Sequence, residues 1–430
     1  MKVLITVMLT LFQVCFSKPL RVEITKGQIK PEPIAILSFV NDDFLIHDII
    51  EKDLLSCGVF EIVSKDTYLQ NSQDVMDKGP ILSRWKITSA RFVLCGRIEK
   101  DSDTLTIHFR LYDIFSEKAM LSLSLKGNIS QYRRLAHMVA DEVFSRVTNE
   151  SGYFNTQITF VETLGRFKKG AKSRIVMMDR DGHNFQKLTD GPLDITPRFS
   201  PKGDQLAFLS FKNGNAAQVY LLNLKNKQQK VLGHFKGMTY APRFAPNGQD
   251  IIFSFIDSKN GNNSICLMNL GSKSVDVLTD QDGIDTSPCF SHTGEDIAFV
   301  SNRGEKLGAA NIFIMNRQGG NLRRITFGDG RYYQPVWSPR GDLIAFVKLH
   351  KGQFYLGVIS PDSSGERLIT KGYLIESPVW TSNGRYLFFT KENGPNQKST
   401  ICFIDITGFH LQTLDTKGRD ASHCDTILIQ

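Results

Sequence analysis

The sequence predicts an α+β amino-terminal domain followed by an all-β, six-bladed propeller closed by strands from its two ends. Two observations carry this. One motif returns five times at nearly constant spacing beyond residue 190, and a different rhythm of strands and helices precedes residue 150. The motif is seen in "TPRFSPKGDQLAF", "APRFAPNGQDIIF", "SPCFSHTGEDIAF", "QPVWSPRGDLIAF" and "SPVWTSNGRYLFF". Its prolines, Pro197, Pro242, Pro288, Pro335 and Pro378, stand 45, 46, 47 and 43 residues apart. An aromatic follows each proline by two positions (Phe199, Phe244, Phe290, Trp337, Trp380). A glycine follows by six (Gly203, Gly248, Gly294, Gly341, Gly384) and a Phe by eleven (Phe208, Phe253, Phe299, Phe346, Phe389).

Each copy reads as four short strands. The first carries the offset-two aromatic and ends in a turn where glycine supplies a positive φ. The second is the apolar "LAF" or "IIF" segment. After a polar loop come a third strand such as "QVYLLNL" and a fourth near "RRITF" or "RLITK". Four strands at a period of about 40–50 residues is the signature of a propeller blade. A single blade cannot bury both faces, so the two sets of aromatics are expected to fill the gaps between neighbours. Ahead of the first copy, "QITFVE", "SRIVMMDRDG" and "QKLTDG" supply strands two to four of a sixth blade. The final "SHCDTILIQ" supplies its first strand and closes the ring, removing free sheet edges. That last strand has lost the proline, the aromatic and the glycine, so a looser closure is expected.

Residues 18–150 read as the α+β domain and residues 151–430 as the propeller. "PIAILSF" is an apolar strand, and "FLIHDIIEKDLLSCG" places Ile46, Ile49, Ile50 and Leu54 at helical spacing. Strands follow in "FEIVS", "RFVLCGRIE", "TLTIHFRLYD" and "AMLSLSLKG". A closing helix, "SQYRRLAHMVADEVFSRVT", lines up Leu135, Met138, Val139, Val143 and Phe144 on one face. Residues 1–17, "MKVLITVMLTLFQVCFS", have the Lys, apolar run and small closing residues of a cleaved secretory signal.

The 430 residues include 22% charged and 41% hydrophobic side chains, an ordinary globular balance. The net charge of +8 belongs to the part from residue 151, where 33 basic side chains face 25 acidic ones. It is spread over turns and forms no dense stripe, so nucleic-acid binding is not expected. Cys266 and Cys402 occupy the same place in strands of distant blades and read as small buried residues. For Cys57 and Cys95 two readings stay open, a bonded pair or two buried thiols.

Catalytic signatures are missing. The sequence has no GxSxG elbow and no HExxH, and "GRFKKGAKS" misses the phosphate-loop pattern by one inserted Ala171. The protein is therefore expected not to be an enzyme and to need no cofactor or metal. Asp190, Asp194, Asp280, Asp282 and Asp285 recur in the loops leading into first strands, where they suit a cation, a partner or solvent.

The repeat resembles the WD40-like pattern PxWSPDG. The order of signal, small α+β domain and six-bladed propeller resembles the TolB family of the Tol-Pal envelope system over essentially the whole chain. The helix end "HMVADEVFSRVTNESGYF" is similar to that family's junction between domains. This chain departs where the family has Asp before the turn glycine, carrying Lys202, Asn247, Thr293, Arg340 and Asn383 instead. The resemblance implies a periplasmic, monomeric scaffold that meets membranes only through partners and serves envelope integrity and constriction during division. Its partners would be a Pal-like peptidoglycan-associated lipoprotein at the propeller mouth and TolA at the amino terminus. The mouth loops are 190–196, 235–241, 280–287, 327–334 and 370–377. Within them Met238, Tyr240, Asp285, Thr286 and Ser287 are the expected lipoprotein contacts, with Met238 and Tyr240 exposed as anchors. Leu20, Arg21, Val22, Glu23 and Ile24 are the expected TolA contacts; the alternation of Leu20, Val22 and Ile24 suits strand addition to a partner's sheet edge and equally suits docking on the chain's own domain. A glycan-binding or lyase-type propeller is the alternative from another class.

Overall fold

The computed structural model describes residues 30–212, 216–233, 235–259, 261–279, 283–304 and 309–429. The signal reading at residues 1–17 and the TolA-directed residues Leu20–Ile24 lie outside them, as do Asp280 and Asp282.

The amino-terminal domain runs β1 (Glu32–Ile36), α1 (Ile46–Ser56), β2 (Phe60–Ile62), α2 (Ser72–Lys78), α3 (Leu82–Trp85), β3 (Phe92–Asp101), β4 (Thr104–Asp113), β5 (Lys118–Asn128) and α4 (Tyr132–Thr148). The sheet order is β2-β1-β3-β4-β5, with β1 parallel to both neighbours and the remaining pairs antiparallel. Side chains alternate across a strand. Ile34 and Ile36 therefore enter a core with α1 and α4, while Ala35 and Leu37 enter a second core with Val75, Met76 and Trp85 of α2 and α3. Burial on both faces is why "PIAIL" is apolar throughout. The same alternation separates the cysteines. Cys57 belongs to the first core and Cys95 to the second, and all six described cysteines are free thiols.

Beyond Thr156 stand six four-stranded antiparallel sheets. Their inner strands are Asp194–Phe199, Gly237–Phe244, Asp285–Phe290, Arg331–Trp337, Leu374–Trp380 and Ala421–Leu428, which begin blades 1 to 6 in that order. Blade 6 joins Ala421–Leu428 to Thr156–Leu164, Lys172–Asp179 and Gln186–Lys187, so the ring closes through both ends. The five motif glycines take φ between 65° and 80°, a region open to glycine at little cost. The five offset-eleven Phe side chains are fully buried between blades. Closure is not looser at blade 6. Ala421–Leu428 pairs with Thr156–Glu162 and carries the same register shift as the other inner strands, and Phe199 of blade 1 donates its backbone N–H to Asp425 at 2.7 Å.

The two domains share one core. Phe144 of α4 meets Tyr153 edge-on, Tyr153 packs on Tyr386 with ring centres 4.8 Å apart, and Tyr386 stacks on Phe403 at 4.8 Å. Tyr386 donates its hydroxyl to the Cys57 carbonyl at 2.8 Å. A buried charged cluster lies alongside. His137 of α4 places Nδ1 2.6 Å from Asp53 of α1 and Nε2 3.3 Å from Asp181 in a turn of blade 6. Arg133 also pairs with Asp181, and Arg180 approaches Asp53 at 3.5 Å. The two carboxylates hold the His137 imidazole protonated, with its pKa raised to about 10 against the cost of burial.

Candidate functional site

The axis of the ring gathers the six inner strands, and each bends there in the same way. Thr196, Ala241, Ser287, Gln334, Ser377 and His423 all adopt φ between 49° and 55°, next to a shift in pairing register. This is a β-bulge held in left-handed backbone, which turns the strand and re-aims the following side chain. Proline follows it in five blades and Cys424 in the sixth. The bulges surround a narrow waist of about 60 Å³ on the axis, lined by Thr196, Ser287, Gln334 and Ser377 with Pro242 and Pro288.

On one side of the waist stand the loops that lead into the inner strands. Leu193 is 37% exposed, Ile284 54%, Phe327 68% and Tyr373 53%, one from each of blades 1, 3, 4 and 5. An exposed aromatic and aliphatic set at a rim has the composition of a docking surface. The signal in the sequence is an apolar residue four places before the repeat proline, present as Leu193, Met238, Ile284 and Leu374. Blade 4 has Arg331 at that offset and presents Phe327 instead.

The expected contacts sit deeper than this rim. Met238 and Tyr240 are not exposed: both are half-buried against the core between blades 1 and 2, and Tyr240 bonds through its hydroxyl to Asn263. They lie within the long inner strand of blade 2, whose pairing with Asp250–Asp257 draws them onto the blade. Asp285 is buried and bonded to Arg303 at 2.6 Å. Thr286 is partly buried with its hydroxyl 3.4 Å from that of Ser254, and Ser287 is the bulge residue in the wall of the waist. Asp194 is likewise buried and accepts the Gly191 N–H, whereas Asp190 is exposed beside Lys187. Among the described residues no group of three or more His, Cys, Asp or Glu side chains has the arrangement of a metal site.

On the other side of the waist the axis widens into a cavity of about 790 Å³. Its wall includes the offset-two aromatics, and its rim is made by the motif turns around Pro201, Pro246 and Pro339. The amino-terminal domain docks on this same face, beside the cavity. Glu150 lies 3.2 Å from Arg385 and 3.5 Å from Arg340, and Asn383 donates to the Ser151 carbonyl at 3.0 Å. Among the described residues the docked domain leaves the opposite mouth free.

A closed six-bladed ring with a small domain fixed on one face and an apolar rim on the other defines a two-domain propeller of the kind that presents its free mouth for binding. Comparison with known proteins makes the class specific. The sequence model described as the TolB amino-terminal domain matches residues 20–120, and that of the TolB beta propeller domain matches residues 144–424. The Tol-Pal system protein TolB of Gluconobacter oxydans (strain 621H) is 37% identical over 406 residues, spanning 92% of this chain and 86% of that protein. The protein of the same name from Rickettsia bellii (strain OSU 85-389) is 36% identical over 419 residues, 93% of each chain. A crystal structure of TolB from Acinetobacter baumannii superposes with a TM-score of 0.82 at 25% identity, covering 94% of this chain and 98% of that one. The chain belongs to the TolB family, and it is a periplasmic protein.

Proposed function

We propose that this protein acts in the Tol-Pal complex by docking a Pal-like lipoprotein on the propeller mouth opposite the amino-terminal domain, and by engaging TolA through Leu20–Ile24. The single observation that carries the first part is the exposed rim of Leu193, Ile284, Phe327 and Tyr373. Phe327 and Tyr373 serve as anchors. Leu193 and Ile284 surround them, the half-buried Met238 lies deeper, and Thr286 and Ser287 line the entry to the waist. Membership of the TolB family and the relatives' printed role in the Tol-Pal system support the choice of partner. A membrane is then met only through those partners.

The test is calorimetry of the purified chain with the soluble domain of its Pal-like lipoprotein. Truncating an interface anchor typically weakens binding by 2 kcal/mol or more, about thirtyfold. Phe327→Ser combined with Tyr373→Ser should reach that loss with an unchanged melting curve. Removing residues 18–26 should abolish TolA binding and leave the lipoprotein affinity intact. Full lipoprotein affinity in the double variant would move the interface to another face.

A further inference from the structure

One position past the repeat proline, the inner strands present Arg198, Arg243, Cys289, Val336, Val379 and Asp425 to the axis. Half of that ring is apolar and half is charged, and the charges do not balance. Arg198 is only 8% exposed. Its Nη1 donates to the Pro197 carbonyl at 2.7 Å and the Cys424 carbonyl at 3.3 Å, while Nε and Nη2 have no partner among the described residues. Arg243, on the neighbouring blade, makes no side-chain hydrogen bond or ion pair among the described residues. Among the described residues Asp425 is the one carboxylate in the cavity wall. It accepts the Phe199 N–H and lies beyond ion-pair distance of both arginines.

Arg198 and Arg243 line the same cavity, and Asp425 attracts both without reaching contact distance; two guanidinium groups against one distant carboxylate form an arrangement that a bound carboxylate or phosphate completes. Burial and the neighbouring Arg243 charge pull the Arg198 pKa down to about 10, which still leaves it charged in neutral solution. The cavity in front of them has a volume of about 790 Å³, within the usual range of small-molecule sites. Lys202 stands at its rim and adds to the attraction for anions. The indole N–H groups of Trp337 and Trp380 are spent on the Gly341 and Val336 carbonyls, at 3.2 and 2.9 Å, so these side chains offer apolar contact and no donor.

We propose that this cavity is a binding site for a small oxyanion, a carboxylate or a phosphate, with its charged end on Arg198 and Arg243 and its body against Phe290, Trp337 and Trp380. It is separate from the lipoprotein face and does not depend on that reading. The excess of positive charge also makes the axis unsuited to a cation.

The full chain is titrated calorimetrically with glucuronate, benzoate and inorganic phosphate, with glucose and benzyl alcohol as neutral counterparts. At least one anion should bind, more weakly as salt rises, and its neutral counterpart should not. Arg243→Met, which keeps most of the aliphatic stem, should lower that affinity tenfold or more at an unchanged melting temperature. Should that variant fail to fold, Lys202→Glu at the exposed rim should still weaken binding several-fold. Binding of phosphate alone, or of carboxylates alone, supports the site and tells the two sources apart. No binding of any anion up to about 10 mM, equal binding of a neutral counterpart, or full affinity in a folded Arg243→Met would overturn the assignment.

Discussion

His137 should make the joint between the domains sensitive to alkali. Both ring nitrogens face carboxylates, Asp53 of the amino-terminal domain and Asp181 of blade 6, so the imidazolium is a bridge between the two units. A pKa raised from 6.5 to about 10 means that folding binds a proton more tightly than the unfolded chain does. The stabilisation is complete below pH 6.5 and is lost as pH rises through about 10. At about 1.4 kcal/mol per pH unit the full span corresponds to about 4–5 kcal/mol. That is an upper value, because Asp181 also serves Arg133 and Asp53 also faces Arg180, and about 2–4 kcal/mol is the expected loss. The assay is urea unfolding of the parent and of His137→Gln at pH 6.5, 8 and 9.5. Other groups titrate in this range, but they do so in both proteins. The gap between the two should be widest at pH 6.5 and shrink steadily towards pH 9.5. A gap that is constant across the series would refute the protonated bridge.

Three further outcomes test the propeller. Trp337→Ala removes a buried side chain from the core between blades 3 and 4 and should cost about 3–5 kcal/mol in denaturant melts, so an unchanged midpoint would contradict its packing role. Deleting residues 421–430 removes the inner strand of blade 6 together with the Asp425 contact to Phe199. Light scattering should show aggregation of that chain, and a monomeric, protease-resistant product would argue against closure through the termini. Asp285→Ala strands Arg303, which packs over Phe299 and Phe313, and should destabilise by about 3–5 kcal/mol while leaving lipoprotein affinity per folded molecule unchanged. Lower affinity at full stability would return Asp285 to the interface.

The ring was legible because its period is written in residue types that a turn or a core requires. Glycine is needed where φ is positive, and Phe is needed where two blades meet. Even the degenerate last strand could be placed, since three strands without a first stood at the other end of the chain. Two kinds of feature were hidden. α2 reads "SQDVMDK", with adjacent Val75 and Met76 as its only apolar residues, so no helical period shows. Its one local mark is Asn71, whose side chain accepts the Asp74 N–H at the helix start. The bulges were hidden as well. Thr196, Ala241, Gln334 and His423 share a left-handed backbone although their side chains have nothing in common, and only His is among the types enriched there, so the fold imposes it. The depth of Met238 and Tyr240 follows from that same geometry. The bulge comes after them in the chain, so they belong to a strand paired along its length, where a turn had been expected to free them.

The two faces of the ring differ for a reason that starts in the repeat. Every motif turn falls on the face where the amino-terminal domain docks, and a turn fixed by proline and glycine has little freedom in length or shape. That face is uniform, which suits a second domain making defined contacts through Glu150, Ser151, Asn383 and Arg385. The loops into the inner strands lie outside the motif, and the differences in repeat spacing fall in the segments between motif copies. Variation is free there, and it is there that Ile284, Phe327 and Tyr373 stand in solvent. The axis links the two faces, since Arg198 and Arg243 line both the wide cavity and the waist below the mouth. An anion held by those two side chains would therefore change the charge presented under the lipoprotein face without touching the rim. Repeating the lipoprotein titration in the presence of the bound anion measures that coupling directly, and by reciprocity the lipoprotein must change the anion's affinity by the same factor.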